Sequence, residues 1–181
     1  TRKLSFCLVV DDFGICYHRT ADLNHLVDAL SDIFHVKVHP TGTKFLGLTV
    51  DYNRSARTIT LSYPGFIKAL LTHVRPNGIK HADTPAIYTP PSYGRKGPQP
   101  ATQLPPSTPA TADEVSQLRT IVGSLLYYSL AVDSTILPAV CALACQQACA
   151  TAHTLKAAER LLGYVAKHPN ASITYRPSDM L

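Results

Sequence analysis

The sequence predicts a mixed α+β protein, strand-rich in its first third and helical in its last. Three observations support this. Short apolar runs broken by turn residues fill positions 4–63, apolar residues recur at helical spacing beyond position 111, and a proline-rich stretch lies between. With 181 residues the chain can bury a proper core, as one domain or as two small lobes.

The first element is an apolar strand, Leu8-Val9-Val10, that ends in two adjacent carboxylates, Asp11 and Asp12. Consecutive strand side chains point to opposite faces, so these two share a face only if the backbone turns there. Gly14 follows and permits a tight turn, and the apolar residues around Ile15 and Tyr17 suggest a return strand. Thr20-Ala21-Asp22 has the form of a helix start, after which Leu23, Leu26, Val27, Leu30, Ile33 and Phe34 make one apolar stripe. Val36 and Val38 flank Lys37 in strand-like alternation, and Pro40-Thr41-Gly42 suggests a turn. Residues 44–52 and 58–63 alternate Leu, Val and Ile with polar residues, and Asn53-Arg54-Ser55-Ala56-Arg57 joins them as a β-hairpin. Pro64 suits the first turn of a helix bearing Phe66, Ile67, Leu70, Leu71 and Val74 on one face.

Residues 85–109 hold eight of the fourteen prolines, and 85–110 is expected to be an extended linker or surface arm. Thr111-Ala112-Asp113-Glu114 has the pattern of a capping box and opens a helix through Leu118, Ile121, Val122, Leu125 and Leu126. Further helices are expected near 136–150 and 155–166; His168-Pro169-Asn170 stops the last, and residues 172–175 suit a short strand. Cys141, Cys145 and Cys149 recur every four residues, which lines one helical face and suggests core packing rather than a metal site.

Composition narrows the function classes. Five cysteines do not make a disulfide framework, no apolar stretch is long enough to span a bilayer, and no signal-like N-terminus is present. A soluble cytoplasmic or nuclear protein, not a secreted one, is expected. Lys and Arg number 17 against 12 Asp and Glu, a formal charge of +5. The excess concentrates in the middle third, where Lys37, Lys44, Arg54, Arg57, Lys68, Arg75, Lys80, Arg95 and Lys96 face only Asp51 and Asp83. Such a region suits a phosphate backbone, although solubility alone also accounts for surface charge.

The acidic pair is the chemically informative feature. Two carboxylates a few ångströms apart repel unless a cation lies between them, and Mg²⁺ takes such hard oxygen ligands together with water and substrate phosphates. An ordinary acidic turn is the plain alternative, since Asp favours turns on its own account.

In order along the chain, these segments resemble the reverse transcriptase of copia-type long-terminal-repeat retrotransposons. Val9-Val10-Asp11-Asp12 is similar to that family's palm motif, usually an aromatic residue, any residue, then Asp-Asp. Lys44-Phe45-Leu46-Gly47-Leu48, with the second arm through Leu61-Ser62, resembles its FLG hairpin. Ile121-Val122-Gly123-Ser124-Leu125-Leu126-Tyr127-Tyr128 resembles the helix after the family's variable proline-rich stretch. The run from Lys156 through Val165 is similar to the helix preceding its ribonuclease H domain.

The resemblance implies a partial palm over 1–63, a thumb-like helix over 64–84, a linker over 85–110 and a helical connection over 111–181. It assigns Asp11 to direct metal coordination in two-Mg²⁺ nucleotidyl transfer, with Asp12 as secondary ligand or electrostatic partner. Phe45, Leu46 and Gly47 would form a primer-grip-like hairpin, with Gly47 allowing close backbone approach to an RNA–DNA or DNA primer–template duplex. Lys44, Arg54, Arg57 and Lys68 are candidates for contact with its phosphate backbone. Two departures accompany the match. Val9 stands where the family usually has an aromatic residue, and the family's fingers, its earlier palm aspartate and its ribonuclease H segment have no counterpart in this sequence. The chain is therefore expected to derive from an RNA-directed DNA polymerase yet not to polymerise alone. The alternatives are a non-catalytic nucleic-acid-binding or scaffold remnant, and a helical interaction module over 111–168.

Overall fold

The computed structural model describes residues 4–87 and 107–178. Antiparallel β-sheets come first and a helical region follows. The chain divides into two units, one of residues Thr1–Ser62 with Thr174–Leu181 and one of Tyr63–Ile173.

In the first unit, β1 (Leu4–Val9) and β2 (Asp12–Tyr17) form an antiparallel hairpin that is a sheet by itself. Helix α1 (Thr20–Ser31) starts where the sequence indicates, with Asp22 buried and paired to Arg19 at 3.0 Å. It stops short of the expected stripe: Leu23 is buried, but Ile33 and Phe34 lie beyond the helix and are 76% and 63% exposed. The strand-like alternation at Val36 and Val38 forms no strand, while Pro40-Thr41-Gly42 does turn, with the Gly42 N–H donating to the His39 carbonyl at 3.1 Å. Strands β3 (Lys44–Phe45), β4 (Leu48–Asn53) and β5 (Thr58–Ser62) follow, with Thr49 opposite Ser62 and Asn53 opposite Thr58. Thr174 and Tyr175, the end of β6 (Ser172–Tyr175), complete a sheet ordered β3-β4-β5-β6, where the Thr60 and Thr174 hydroxyls bond at 3.0 Å.

Among the described residues, most of the buried apolar side chains belong to the second unit. Helix α2 (Phe66–Val74) begins after Pro64 rather than on it, and buries Ile67, Leu70 and Val74. Helix α3 (Ala112–Ala131) is held at its start by the Thr111–Glu114 capping box: the Glu114 N–H donates to the Thr111 hydroxyl, and the Thr111 N–H donates to the Glu114 carboxylate at 2.8 Å. These bonds to Thr111 hold the Glu114 carboxyl below the usual glutamate range. From α3 come Leu118, Ile121, Val122, Leu125 and Tyr128; from α4 (Leu137–Gln146) come Val140 and Leu143; from α5 (Ala152–Lys167) come Ala158, Leu161, Leu162 and Val165.

Two further expectations do not hold in the second unit. Cys141, Cys145 and Cys149 are exposed, not packed in the core. A four-residue spacing fits either side of a helix, and the larger Val140 and Leu143 take the inner side of α4 because they remove more apolar area from water. Part of the expected linker is also seated, since Ala110 N–H donates to the Ala150 carbonyl and Ala152 N–H to the Thr108 carbonyl, each at 2.9 Å. Residues 88–106 of that linker lie outside the described residues.

Candidate acidic hairpin and nucleic-acid surface

The chain reverses direction over Val10 and Asp11, between the paired residues Val9 and Asp12. Asp11 therefore sits in the turn and Asp12 opens β2, which brings the two carboxylates to the tip of one exposed hairpin. Val10 adopts φ 57° there and is 92% exposed. A β-branched residue is strained in the left-handed region, because its Cβ crowds the following carbonyl. Such strain is concentrated at sites where a neighbouring side chain must be aimed. Val10→Gly is expected to stabilise the hairpin by about 1 kcal/mol, the strain relieved less the extra entropy of glycine. Chemical denaturation followed by the tyrosines of the first unit checks this; a loss of stability would mean that Val10 is not strained.

Gly14 does not make the turn, contrary to the expectation from its position. It lies within β2 opposite Cys7, and its missing side chain makes room for the Phe45 ring, which an ideal Cβ would meet at 3.3 Å. Glycine inside a strand often marks such a close approach, and that signal was available in the sequence. Phe6 and Phe13 add a ring contact at 5.7 Å on the same hairpin.

Phe45 ends β3, and Leu46 and Gly47 then turn the chain into β4 with φ 51° and 77°. Two positive φ values in a two-residue loop fit a type I′ turn, whose twist matches the flanking strands. The expected single strand over 44–52 is thus two strands joined by this turn. Gly47 supplies its left-handed position at no steric cost. At the far end of β4, the Ala56 N–H donates to the Asn53 side-chain carbonyl at 2.9 Å, and Arg57 has φ 53°. The Arg54 guanidinium lies 5.6 Å from the centre of the Tyr52 ring.

The structure gathers Asp11, Asp12, Phe45, Leu46, Gly47, Lys44, Arg54 and Arg57 in the first unit, and places Lys68 on α2 in the second. Lys44, Arg54, Arg57 and Lys68 are all exposed. Arg75 is engaged with Glu159, and Arg95 and Lys96 lie outside the described residues. Among the described residues no three His, Cys, Asp or Glu side chains cluster so as to hold a metal ion, and no helix is long and apolar enough to cross a membrane.

Compared with models of known protein families, with curated proteins and with solved structures, the chain matches none.

Proposed function

We propose that this chain is part of an RNA-directed DNA polymerase of the copia-type retrotransposon kind: a partial palm carrying Asp11 and Asp12, a thumb-like helix, and a helical connection. The observation that carries the reading is the joining of two short motifs in one unit. The Asp11-Asp12 hairpin and the Phe45-Leu46-Gly47 turn are separate in sequence, and the Phe45 ring against Gly14 fastens them together. A polymerase needs that arrangement, with carboxylates for metal on one hairpin and a tight backbone turn beside it to hold a primer strand.

The two carboxylates offer hard oxygen ligands that suit Mg²⁺. When bound, that ion supplies charge stabilisation at the transferring phosphoryl group. Asp11 and Asp12 have no third carboxylate clustered with them among the described residues, and the chain alone is expected to incorporate no nucleotide. The same observation favours, as a second reading, a remnant that binds nucleic acid without catalysis. Lys44, Arg54 and Arg57, in the first unit, would hold the duplex by its phosphates in either reading, and Lys68, in the second, is a separate candidate for such contact.

The test neutralises the hairpin tip. Without divalent ions the two carboxylates repel a phosphate backbone, so Asp11→Asn/Asp12→Asn is expected to bind a labelled RNA–DNA hybrid about threefold more tightly than wild type in EDTA. Mg²⁺ is expected to tighten wild type but not the variant. Equal affinities of the two proteins in both buffers would place the hairpin tip away from nucleic acid and sink the metal-site reading of Asp11 and Asp12.

A further inference from the structure

Residues 75–87 form neither helix nor strand, yet the part through Thr84 is fastened along α5. Arg75 pairs with Glu159. The Lys80 carbonyl passes so close to Gly163 that a side chain there would overlap it. Asp83 accepts from the Lys167 ammonium at 2.5 Å, and Thr84 accepts from Arg160 Nη2 through its hydroxyl oxygen at 2.8 Å. All of these residues belong to the second unit.

The Thr84–Arg160 contact is incomplete. Arg160 Nε is buried and has no hydrogen-bond partner among the described residues, while Thr84 itself is exposed. A guanidinium presents parallel N–H groups suited to two oxygens of one anion, and a neutral hydroxyl supplies a single acceptor. The surroundings are net basic. Lys167 above all, then Arg160 and His168, hold the Asp83 carboxyl below the usual aspartate range, and the Glu159 carboxylate is already taken by Arg75. Asp83, the other nearby carboxylate among the described residues, is thus offset by its own ion pair. Pro85 follows Thr84 directly, which is the dipeptide that proline-selective kinases act on.

We propose that Thr84 is a phosphorylation site, and that its phosphate, held by Arg160, clamps the 80–84 segment onto α5. In the transfer, Thr84 Oγ attacks the γ-phosphorus of a nucleoside triphosphate in a kinase. The new O–P bond forms as the bond to the β-phosphate oxygen breaks; the diphosphate leaves and the hydroxyl proton passes to the kinase's base. The added phosphate oxygens then accept from Arg160 Nε and Nη2 together, so that the unpartnered N–H gains an acceptor. Because Thr84 immediately precedes Pro85, modification sets how firmly residues 80–84 are held against α5.

The experiment treats the full chain with a proline-directed Ser/Thr kinase and MgATP, locates phosphate by peptide mass spectrometry, and measures amide hydrogen exchange over residues 80–84. Phosphate on Thr84 is expected to slow that exchange at least about fivefold. Arg160→Lys keeps the charge and the aliphatic stem but loses the fork, and is expected to lose most of the slowing. Thr84→Ala, treated in the same way, is expected to show none. Phosphate only on Thr89 or Thr108, which also precede prolines, would overturn the site. Phosphate on Thr84 with unchanged or faster exchange, or full slowing in Arg160→Lys, would overturn the clamp.

Discussion

Gly163→Ala is expected to destabilise the helical unit by about 2 kcal/mol, although alanine is the better helix former by about 1 kcal/mol. The sign follows from what lies opposite. A Cβ on Gly163 would overlap the Lys80 carbonyl oxygen and meet the Ala82 nitrogen at 3.2 Å. Both are backbone atoms of the segment running along α5, and neither can swing aside as the end of a flexible side chain can. The segment must lift, and the Thr84–Arg160 and Asp83–Lys167 contacts are strained with it. Urea unfolding followed by helical circular dichroism measures the change. A gain of about 1 kcal/mol, the plain propensity result, would show that the segment does not seat on Gly163.

Removing the Tyr128 ring has the larger effect. Tyr128 is fully buried and stacks on Phe66 with centroids 5.3 Å apart and planes 4° from parallel. Its hydroxyl donates to the Pro169 carbonyl at 3.3 Å and accepts from the Ala171 N–H at 3.2 Å, which fixes the chain as it leaves α5. Tyr128→Phe leaves two backbone groups without their partner and is expected to cost about 1–3 kcal/mol. Tyr128→Leu also opens a cavity and loses the stacking, for about 3–5 kcal/mol. The pH dependence separates the phenol from the ring. Burial, chiefly, with the nearby Asp133 charge adding, raises the Tyr128 phenol above the usual tyrosine range, against the Ala171 N–H, which lowers it. Its contribution is therefore fully present below the ordinary tyrosine value and is lost as pH rises through the raised one. Wild type should lose that stability at alkaline pH and Tyr128→Phe should not; parallel pH profiles would contradict the role of the hydroxyl.

Local chemistry and the buried faces of α2 and α3 were legible in the sequence, and contacts between distant segments were not. The Thr111–Glu114 capping box spans four residues and forms as its pattern indicates, and the last strand has the expected bounds. The reversal over Val10 and Asp11 was hidden because valine is a poor residue for a positive φ. Composition pointed instead to Gly14, whose use is to admit Phe45 from a strand 31 positions later in the chain. The cysteine row went the wrong way for a related reason: spacing defines a face, but only the competing Val140 and Leu143 decide which face is inside. Asp11 and Asp12 on a hairpin tip could be picked out from the sequence; the contact that joins their hairpin to Phe45 needed the fold.

The most direct test of the account is binding of the full chain to a labelled RNA–DNA hybrid by fluorescence anisotropy across a salt series. The affinity is expected to fall steeply with salt. The Lys44/Arg54/Arg57/Lys68→Ala variant is expected to bind more weakly and to flatten the logarithmic slope by about 3, since each of four lost phosphate contacts removes somewhat under one. No binding at low salt, or a slope that the four substitutions leave unchanged, would contradict it.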